Sequence, residues 1–209
     1  MIRTKDARFY IQRGLLYLVL ALSALTMVVP FAWMIATSLK PTNEVFSVPL
    51  TVFGSRLEFE NYVRLFERFP FLLYLLNSFK VTLSVVLLQL FTSCMAGYVF
   101  ARIKFRGVGV LFIFYLATMM VPFQVTVIPN FIIMKTYKLV DTHWALILPA
   151  MVSAYGTFLM RQFFVTVPLA LEDSAKIDGC NHFQIFSRIM LPMAKPTITT
   201  LLIFIFMGV

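Results

Sequence analysis

The chain is 209 residues long, 60% hydrophobic and only 13% charged, with a formal net charge of +9. A soluble domain usually carries about 25% charged residues, so this composition excludes an ordinary soluble globular protein. The charges are also unevenly distributed, because four long stretches contain no Asp, Glu, Lys or Arg. These stretches are residues 14–39, 81–101, 107–134 and 142–160.

The four uncharged stretches predict membrane-spanning helices. An α-helix rises about 1.5 Å per residue and the hydrocarbon core of a bilayer is about 30 Å thick, so roughly 20 apolar residues cross it. One such run is compatible with a buried core helix, but four in succession favour a polytopic membrane protein. We place the spans at about 14–39, 78–101, 107–134 and 142–164.

The first span follows four basic residues, as a signal peptide does. Its apolar part is far longer than the usual 7–15 residues, so we interpret it as a retained span. The polar segment after it contains a predicted short amphipathic helix from Phe59 to Phe69. We expect residues 69–79 to lie in or near the membrane interface, where Tyr74 and Lys80 suit that depth.

The distribution of basic residues predicts the orientation in the membrane. With a cytoplasmic N-terminus, 11 of the 18 basic residues lie inside and 7 outside, which is the direction of the positive-inside rule. The inside set is Arg3, Lys5, Arg8, Arg13, Arg102, Lys104, Arg106, Arg161, Lys176, Arg188 and Lys195, and the outside set is Lys40, Arg56, Arg64, Arg68, Lys80, Lys135 and Lys138. Because topology accounts for the charge, no nucleic-acid partner is predicted.

Proline residues mark the third and fourth predicted spans. Pro122 and Pro129 lie in the third, and Pro149 lies near the outer end of the fourth. Proline removes a backbone hydrogen bond and kinks a helix, and the freed groups need partners in protein or water. Such kinks suit spans that line a path or move, but proline is also simply commoner in membrane helices. Both interpretations stay open.

A fifth apolar run, 196–209, reaches the last residue of the chain. Its 14 residues give about 21 Å of helix, less than the roughly 30 Å of the hydrocarbon core. A helix that ends within the bilayer leaves carbonyls without partners. We therefore expect the chain to be a fragment, or its reading frame to be truncated.

The sequence predicts no catalytic residue, metal site or cofactor on this chain. It contains no Gly-Lys pair and so no phosphate-binding loop of the Walker type. His143 and His182 have no triad or metal cluster around them, and Cys94 and Cys180 lack metal-ligand spacing.

Two short amphipathic helices are predicted in the loop 165–195, which the orientation places in the cytoplasm. Pro168 suits the first turn of a helix, and Asp178-Gly179 is a pair that ends one, with a positive φ expected at Gly179. Asn181 with Gln184 three residues later forms a capping-box pattern for the second helix.

The second helix has an apolar face and a predicted end. Phe183, Phe186 and Ile189 fall on one face at helical spacing, and Pro192 and Pro196 are expected to stop the helix. From periodicity alone, a helix pair resting on the lipid surface is the favoured interpretation.

The same loop resembles the cytoplasmic EAA loop of ATP-binding-cassette (ABC) importer permeases. That pattern is Glu-Ala-Ala, three residues, Gly, nine residues, Ile, one residue and Leu-Pro. Here the matching residues are Asp173, Ser174, Ala175, Gly179, Ile189, Leu191 and Pro192, with Asp178 before the glycine. Asp173 replaces Glu and Ser174 replaces the first Ala, while the spacing is kept throughout.

Further segments resemble the carbohydrate importers of the maltose type. They are Ala175-Lys176-Ile177-Asp178-Gly179, Asn77-Ser78, Pro122-Phe123-Gln124-Val125 through Pro129, and Phe158-Leu159-Met160-Arg161-Gln162-Phe163-Phe164. The resemblance covers nearly the whole chain.

The resemblance implies an all-α, polytopic helical bundle of the type I ABC importer permease kind, in a cell or inner membrane. Family members have six spans in this subunit, so the present chain holds four and part of a fifth. The implied partners are a second permease subunit, a dimer of ATPase subunits that bind ATP and Mg²⁺, an external solute-binding protein, a sugar and membrane lipid. The loop around Gly179 would be the helix that docks on an ATPase subunit.

Polar residues in the third and fourth spans are candidates for the translocation path. They are Gln124, Asn130, Ser153 and Tyr155. Hydrogen bonds between helices are the alternative use, and the more favoured one. The sugar itself is left open.

Two other functions were weighed. An ion-gradient-driven transporter usually carries an ionisable residue inside a span, and the four charge-free stretches here contain none apart from interfacial His143. A non-transporting scaffold would not need a helix pair at EAA spacing.

Overall fold

The computed structural model describes residues 7–49 and 51–209, and the regular structure of this part is entirely helical. Two helices are long and apolar enough to cross a membrane, and up to five spans result if each of three bent helix pairs counts as one. The prediction of an all-α polytopic membrane protein is therefore confirmed. The chain divides into two compact units, of which the first ends at Leu73 and the second begins at Tyr74.

The first unit is built on one long helix, α1 (Ala7–Ser38). Its 32 residues extend about 48 Å, enough to cross the bilayer, and Pro30 lies inside it without ending it. The apolar window of this helix contains no buried residue within the described part of the chain. Its side chains are therefore open to lipid or to another protein.

A folded segment follows the C-terminal end of α1. It contains a 3₁₀ turn, Thr42–Glu44, and the helix α2 (Glu60–Arg68), which confirms the amphipathic helix expected there. The Nδ2 group of Asn61 donates to the carbonyls of Ser38 and Lys40 at 3.0 and 2.9 Å. The last carbonyls of α1 thus receive the partners that a helix end lacks.

The second unit contains α3 (Phe71–Arg102), which begins three residues before the division. The helix is continuous over 32 residues, so residues 71–79, which are expected at the membrane interface, form one helix with the predicted span 78–101. Pro70 precedes the helix and no breaker follows it, so nothing in the sequence ends the helix before Arg102.

The third predicted span is two helices and not one kinked helix. α4 (Val108–Ala117) continues through a 3₁₀ turn, Thr118–Met120, and α5 (Phe123–Thr136) leaves it at an angle of 100°. Val121 is extended, with ψ of 115°, because Pro122 disfavours the helical conformation in the residue before it. Pro129, by contrast, lies within α5 without breaking it.

The fourth predicted span is also divided. α6 (Trp144–Ala150) and α7 (Ala154–Thr166) meet at an angle of 41°. The hydroxyl of Ser153 accepts a hydrogen bond from the Gly156 amide and begins α7 as its N-cap.

The remaining helices are short until the last one. They are α8 (Leu169–Ile177), α9 (His182–Ile185), a π-helical turn Phe186–Met190, α10 (Leu191–Met193) and α11 (Lys195–Gly208). The stretch His182–Met193 meets α11 at an angle of 77°.

The core of the second unit lies where α3, α7 and α11 meet the short helices. A Cβ on Gly97 would stand 2.7 Å from the Cβ of Met160, and a Cβ on Gly156 would collide with the Ser93 hydroxyl. α3 and α7 therefore approach so closely because these positions carry no side chain, as is common between membrane helices.

Candidate functional site

Helix α8 ends in a well-formed left-handed turn at Gly179. The Gly179 amide donates to the Lys176 carbonyl at 3.0 Å, and the Cys180 amide donates to the Ala175 carbonyl at 2.9 Å. This pair of bonds is the Schellman motif, which requires a positive φ at its central residue. Gly179 has φ of +82°, which confirms the expectation from the Asp-Gly pair.

Helix α9 begins with the predicted capping box. The Asn181 side chain accepts from the Gln184 amide at 2.9 Å, and the Gln184 side chain accepts from the Asn181 amide at 2.8 Å. Both short helices are thus specified by local sequence, and the turn between them is held at each end.

The end of the second helix differs from the expectation. Pro192 does not stop it, because the chain passes through a π-helical turn and continues as α10 with Pro192 inside. The Leu191 amide bonds to the Phe186 carbonyl, one residue farther back than in an α-helix. The helical path bends at Ala194 instead, immediately before Lys195-Pro196.

The turn between α8 and α9 has exposed apolar side chains on either side of it. Ile177 is 86% exposed and Phe183 is 70% exposed. Where a Cβ would stand on Gly179, no described atom lies within 4 Å apart from its own neighbours. Such side chains at a rigidly capped turn form a surface suited to a protein partner.

The opposite face of the same helices is buried in the second unit. Ala175, Ile185, Phe186 and Met190 are each at most 7% exposed. The Phe186 ring lies 5.2 Å from that of Tyr98 on α3, and Tyr98 meets Phe164 of α7 edge to face at 6.0 Å. The short helices therefore rest on α3 and α7.

The structure distributes the motif residues between these two faces. Asp173, Ser174, Asp178, Gly179 and Pro192 are exposed, Ile189 and Leu191 are half-buried, and Ala175 is buried. The Asp173 carboxylate lies 3.8 Å from the Lys176 amine, and both are open to solvent. Ala175 packs inward against the core, whereas most of the other motif residues are accessible to a partner.

A buried ion pair that sequence reasoning missed joins α3 to α8. The Arg102 Nε lies 3.1 Å from the Glu172 Oε1, and their side chains are 4% and 2% exposed. The N–H is not aimed at the oxygen, so this contact is a charge pair and not an aligned hydrogen bond. The terminal guanidinium nitrogen of Arg102 also donates to the carbonyls of Phe164 and Val167.

One sequence signal was available for this pair. Glu172 precedes Ala175 by three residues, so both lie on one face of α8, and Ala175 belongs to the motif. An acidic residue on the inward face of a short helix needs a cation, and Arg102 directly follows the second predicted span. The two positions are 70 residues apart, so spacing alone could not join them.

The four candidate path residues are not brought into one hydrogen-bonded cluster. Gln124 is exposed in the first turn of α5, Asn130 is half-buried, and Tyr155 is 42% exposed beside Phe204 at 6.3 Å between rings. Among the described residues, neither Gln124 nor Asn130 hydrogen-bonds to another helix. Ser153 bonds locally as the cap of α7.

Other polar residues supply the hydrogen bonds between helices. Thr92 donates to the Met151 carbonyl at 2.7 Å, and the hydroxyls of Tyr115 and Thr157 are 3.1 Å apart. Hydrogen bonds between helices, which were the favoured role of the candidate path residues, are therefore made by Thr92, Tyr115 and Thr157 in the described part of the chain.

Comparison with known proteins finds a family model and several relatives that match this chain. Residues 90–209 match the family model described as binding-protein-dependent transport system inner membrane component. The chain is 34% identical over 199 residues to the arabinooligosaccharides transport system permease protein AraQ of Bacillus subtilis, covering 94% of this chain and 71% of that protein. It is 34% identical over 191 residues to the lactose transport system permease protein LacG of Rhizobium radiobacter, covering 91% and 69%.

A solved structure shares the fold. The chain matches a bacterial ABC transporter involved in the import of the acidic polysaccharide alginate, with a TM-score of 0.83 and 22% identity. The match covers 98% of this chain and 72% of that one.

Proposed function

The chain belongs to the family of inner membrane components of binding-protein-dependent transport systems, and from this we propose that it is a permease subunit of an ABC importer for carbohydrates. In this role it forms part of the path for the solute. It also converts the motion of a separate ATPase into opening of that path to one side of the membrane or the other. The family match does not favour an ion-gradient-driven transporter or a scaffold.

The observation that carries the coupling role is the two-faced α8–α9 pair. Its turn is held by a Schellman motif and a capping box and exposes Ile177 and Phe183, while its base packs on α3 and α7. An exposed apolar turn on a rigid base is suited to a cleft on an ATPase subunit. Motion imposed on the turn would reach the spans through the buried face.

The proposed assembly contains a second permease subunit, two ATPase subunits and an external solute-binding protein. ATP and Mg²⁺ are expected on the ATPase, because the sequence of this chain contains no phosphate-binding loop. We place the N-terminus and the loop 165–195 in the cytoplasm, from the distribution of basic residues and from the side on which an ATPase must dock.

The proposed solute is a sugar or an oligosaccharide. The named substrates of the relatives are carbohydrates of different kinds, among them arabinooligosaccharides and lactose. Gln124, Asn130, Ser153 and Tyr155 stay candidates for the path. The break before Pro122 supports α5 as a lining element, because irregular backbone at membrane depth is tolerated where protein or water satisfies it.

The test of the coupling role compares two glycines with the same backbone conformation. Gly179 and Gly107 have φ of +82° and +89°, and neither Cβ position meets a described atom within 4 Å. Leucine strains both turns by the same amount, about 1–2 kcal/mol for left-handed geometry. Only Gly179→Leu also places a side chain on the proposed docking surface.

Co-purification of the ATPase and uptake of labelled arabinotriose and lactose are measured in the assembled transporter. Gly179→Leu should reduce ATPase retention or abolish uptake, while Gly107→Leu retains both. Equal behaviour of the two variants would refute the docking assignment. Absence of any ATPase from the purified wild-type complex would refute the importer proposal itself.

A further inference from the structure

We propose that Arg102 is a positioning residue that locks the α8–α9 pair to the spans α3 and α7, so that these elements move as one body during transport. This inference rests on the proposed function. Arg102 ends α3, and its guanidinium reaches three points on the chain between Phe164 and Glu172.

The junction between α7 and α8 would be a hinge without this side chain. In a continuous helix the Phe164 carbonyl accepts from residue 168, but that residue is Pro168 and has no N–H. The Phe164 carbonyl receives only the Val167 amide from the backbone, at 3.3 Å, and the Leu171 amide goes to the Pro168 carbonyl. Arg102 supplies donors to both the Phe164 and the Val167 carbonyls.

The ion pair adds a direct link to α8. Glu172 is buried on the inward face of that helix, 3.1 Å from Arg102. Lys176 also approaches Glu172, at 3.9 Å, but its side chain is 47% exposed. Separating α8 from α3 would leave a buried carboxylate with only this solvent-exposed cation, which strongly disfavours the separation.

The other contacts between these elements do not reach the carbonyls at the α7–α8 junction. Tyr98, Phe164 and Phe186 pack ring against ring, and the Tyr98 hydroxyl lies 3.3 Å from the His182 Nδ1, which joins α3 to α9. None of these groups donates to the Phe164 or Val167 carbonyl, or pairs with Glu172. A guanidinium has several donors in a fixed planar fork, which suits it to hold two carbonyls and a carboxylate in one geometry. A force on the turn near Gly179 is therefore passed to the ends of α3 and α7 together.

The main variant is the double change Arg102→Met with Glu172→Leu. It removes both charges, so no unpaired charge remains buried and assembly is preserved, whereas the link is lost. Lys176→Gln is the matched control, since it removes the other cation near the same carboxylate. Nitroxide labels at Lys104→Cys and Ala170→Cys, in a Cys180→Ser background, report the distance between the end of α3 and α8 by EPR.

In the reconstituted wild-type transporter, the label distance should be the same without nucleotide and with ATP and vanadate. In the double variant it should shift or broaden with ATP and vanadate. The sugar transported per ATP hydrolysed, measured with the sugar of highest uptake in the panel above, should fall at least about tenfold. Lys176→Gln should match the wild type in both measurements.

An unchanged label distance and an unchanged ratio of transport to hydrolysis in the double variant would overturn the inference. If that variant does not assemble, Arg102→Lys decides, because it keeps the charge but loses the planar fork. A wild-type ratio in Arg102→Lys would overturn the inference, and a reduced ratio supports it. Failure of the proposed function is distinct, since the wild-type complex would then contain no ATPase.

Discussion

The C-terminal ends of α1 and α7 both receive donors from elsewhere in the chain, but with different chemistry. From the proposed orientation, the end of α1 is called the outer end, residues 39–68 the outer segment, and the junction of α7 with α8 the inner end. At the outer end, the Asn61 amide and the Glu58 backbone N–H bond to carbonyls of Ser38, Leu39 and Lys40. These donors are neutral and come from the next 30 residues of the chain. At the inner end the donor is Arg102, a charged side chain from a different span.

The two ends also differ in the burial of their ion pairs. The Arg64–Glu60 pair of the outer segment is on its surface, with side chains 47% and 62% exposed. The inner pair is nearly inaccessible to solvent and connects separate elements. Breaking the outer pair costs little, whereas breaking the inner one leaves a buried charge.

The largest predicted effect is on the stability of the inner end. Arg102→Met alone leaves Glu172 buried without its partner and should destabilise the chain by about 3–5 kcal/mol. Arg64→Met is the control at the outer end and should cost no more than about 1 kcal/mol. Denaturant titration of the purified protein in detergent measures both. Equal losses would remove the distinction between the two ends.

A smaller effect is predicted for the buried amine of the outer segment. Lys40 is 1% exposed, donates to the Thr51 carbonyl and lies 5.2 Å from the centre of the Trp33 ring. Lys40→Met should cost about 2 kcal/mol, because it removes a charge-assisted hydrogen bond but leaves no opposite charge buried. Exposed Lys80→Met serves as the control. Proteolysis of the segment 41–58 should quicken only in Lys40→Met, and unchanged cleavage would contradict the prediction.

The capping box that begins α9 should contribute less to stability than the Arg102–Glu172 ion pair. Asn181→Ala removes one half of the capping box and should cost about 1 kcal/mol, while Asn181→Ser keeps a capping oxygen and restores most of it. Hydrogen exchange of the first turn of α9 measures the loss. A cost equal to that of Arg102→Met would show that local capping, and not the buried pair, holds the inner end.

The smallest effect is a pH dependence confined to the outer segment. The Ser55 hydroxyl and backbone amide donate to the Glu44 carboxylate and lower the pKa of Glu44 below its ordinary value of 4.5. Its contribution is fully present above pH 4.5 and is lost as the pH falls through the lowered pKa. The protection of the Ser55 amide, which is its exchange rate relative to the intrinsic rate at each pH, should therefore fall below pH 4.5 in the wild type and stay constant in Glu44→Gln. A loss of protection at low pH in Glu44→Gln would assign the effect to another group.

The sequence predicted the features that depend on near neighbours. The long stretches without charged residues predicted helices that can cross a membrane. The spacing of Asn181 and Gln184 predicted the capping box. The positive φ of Gly179 followed from the Asp-Gly pair. Each of these signals lies within one element or one turn, where the chain itself fixes the distances.

The tertiary structure alone decided the contacts between distant elements and the direction of the chain at its breaks. The pairing of Arg102 with Glu172 and the approach at Gly97 and Gly156 depend on how α3 meets α7 and α8. A proline predicts that a helix is disturbed, but the 100° bend before Pro122 and the unbroken path through Pro192 depend on packing around each one. Local propensity decides where a backbone hydrogen bond is lost, and the surrounding protein decides what replaces it.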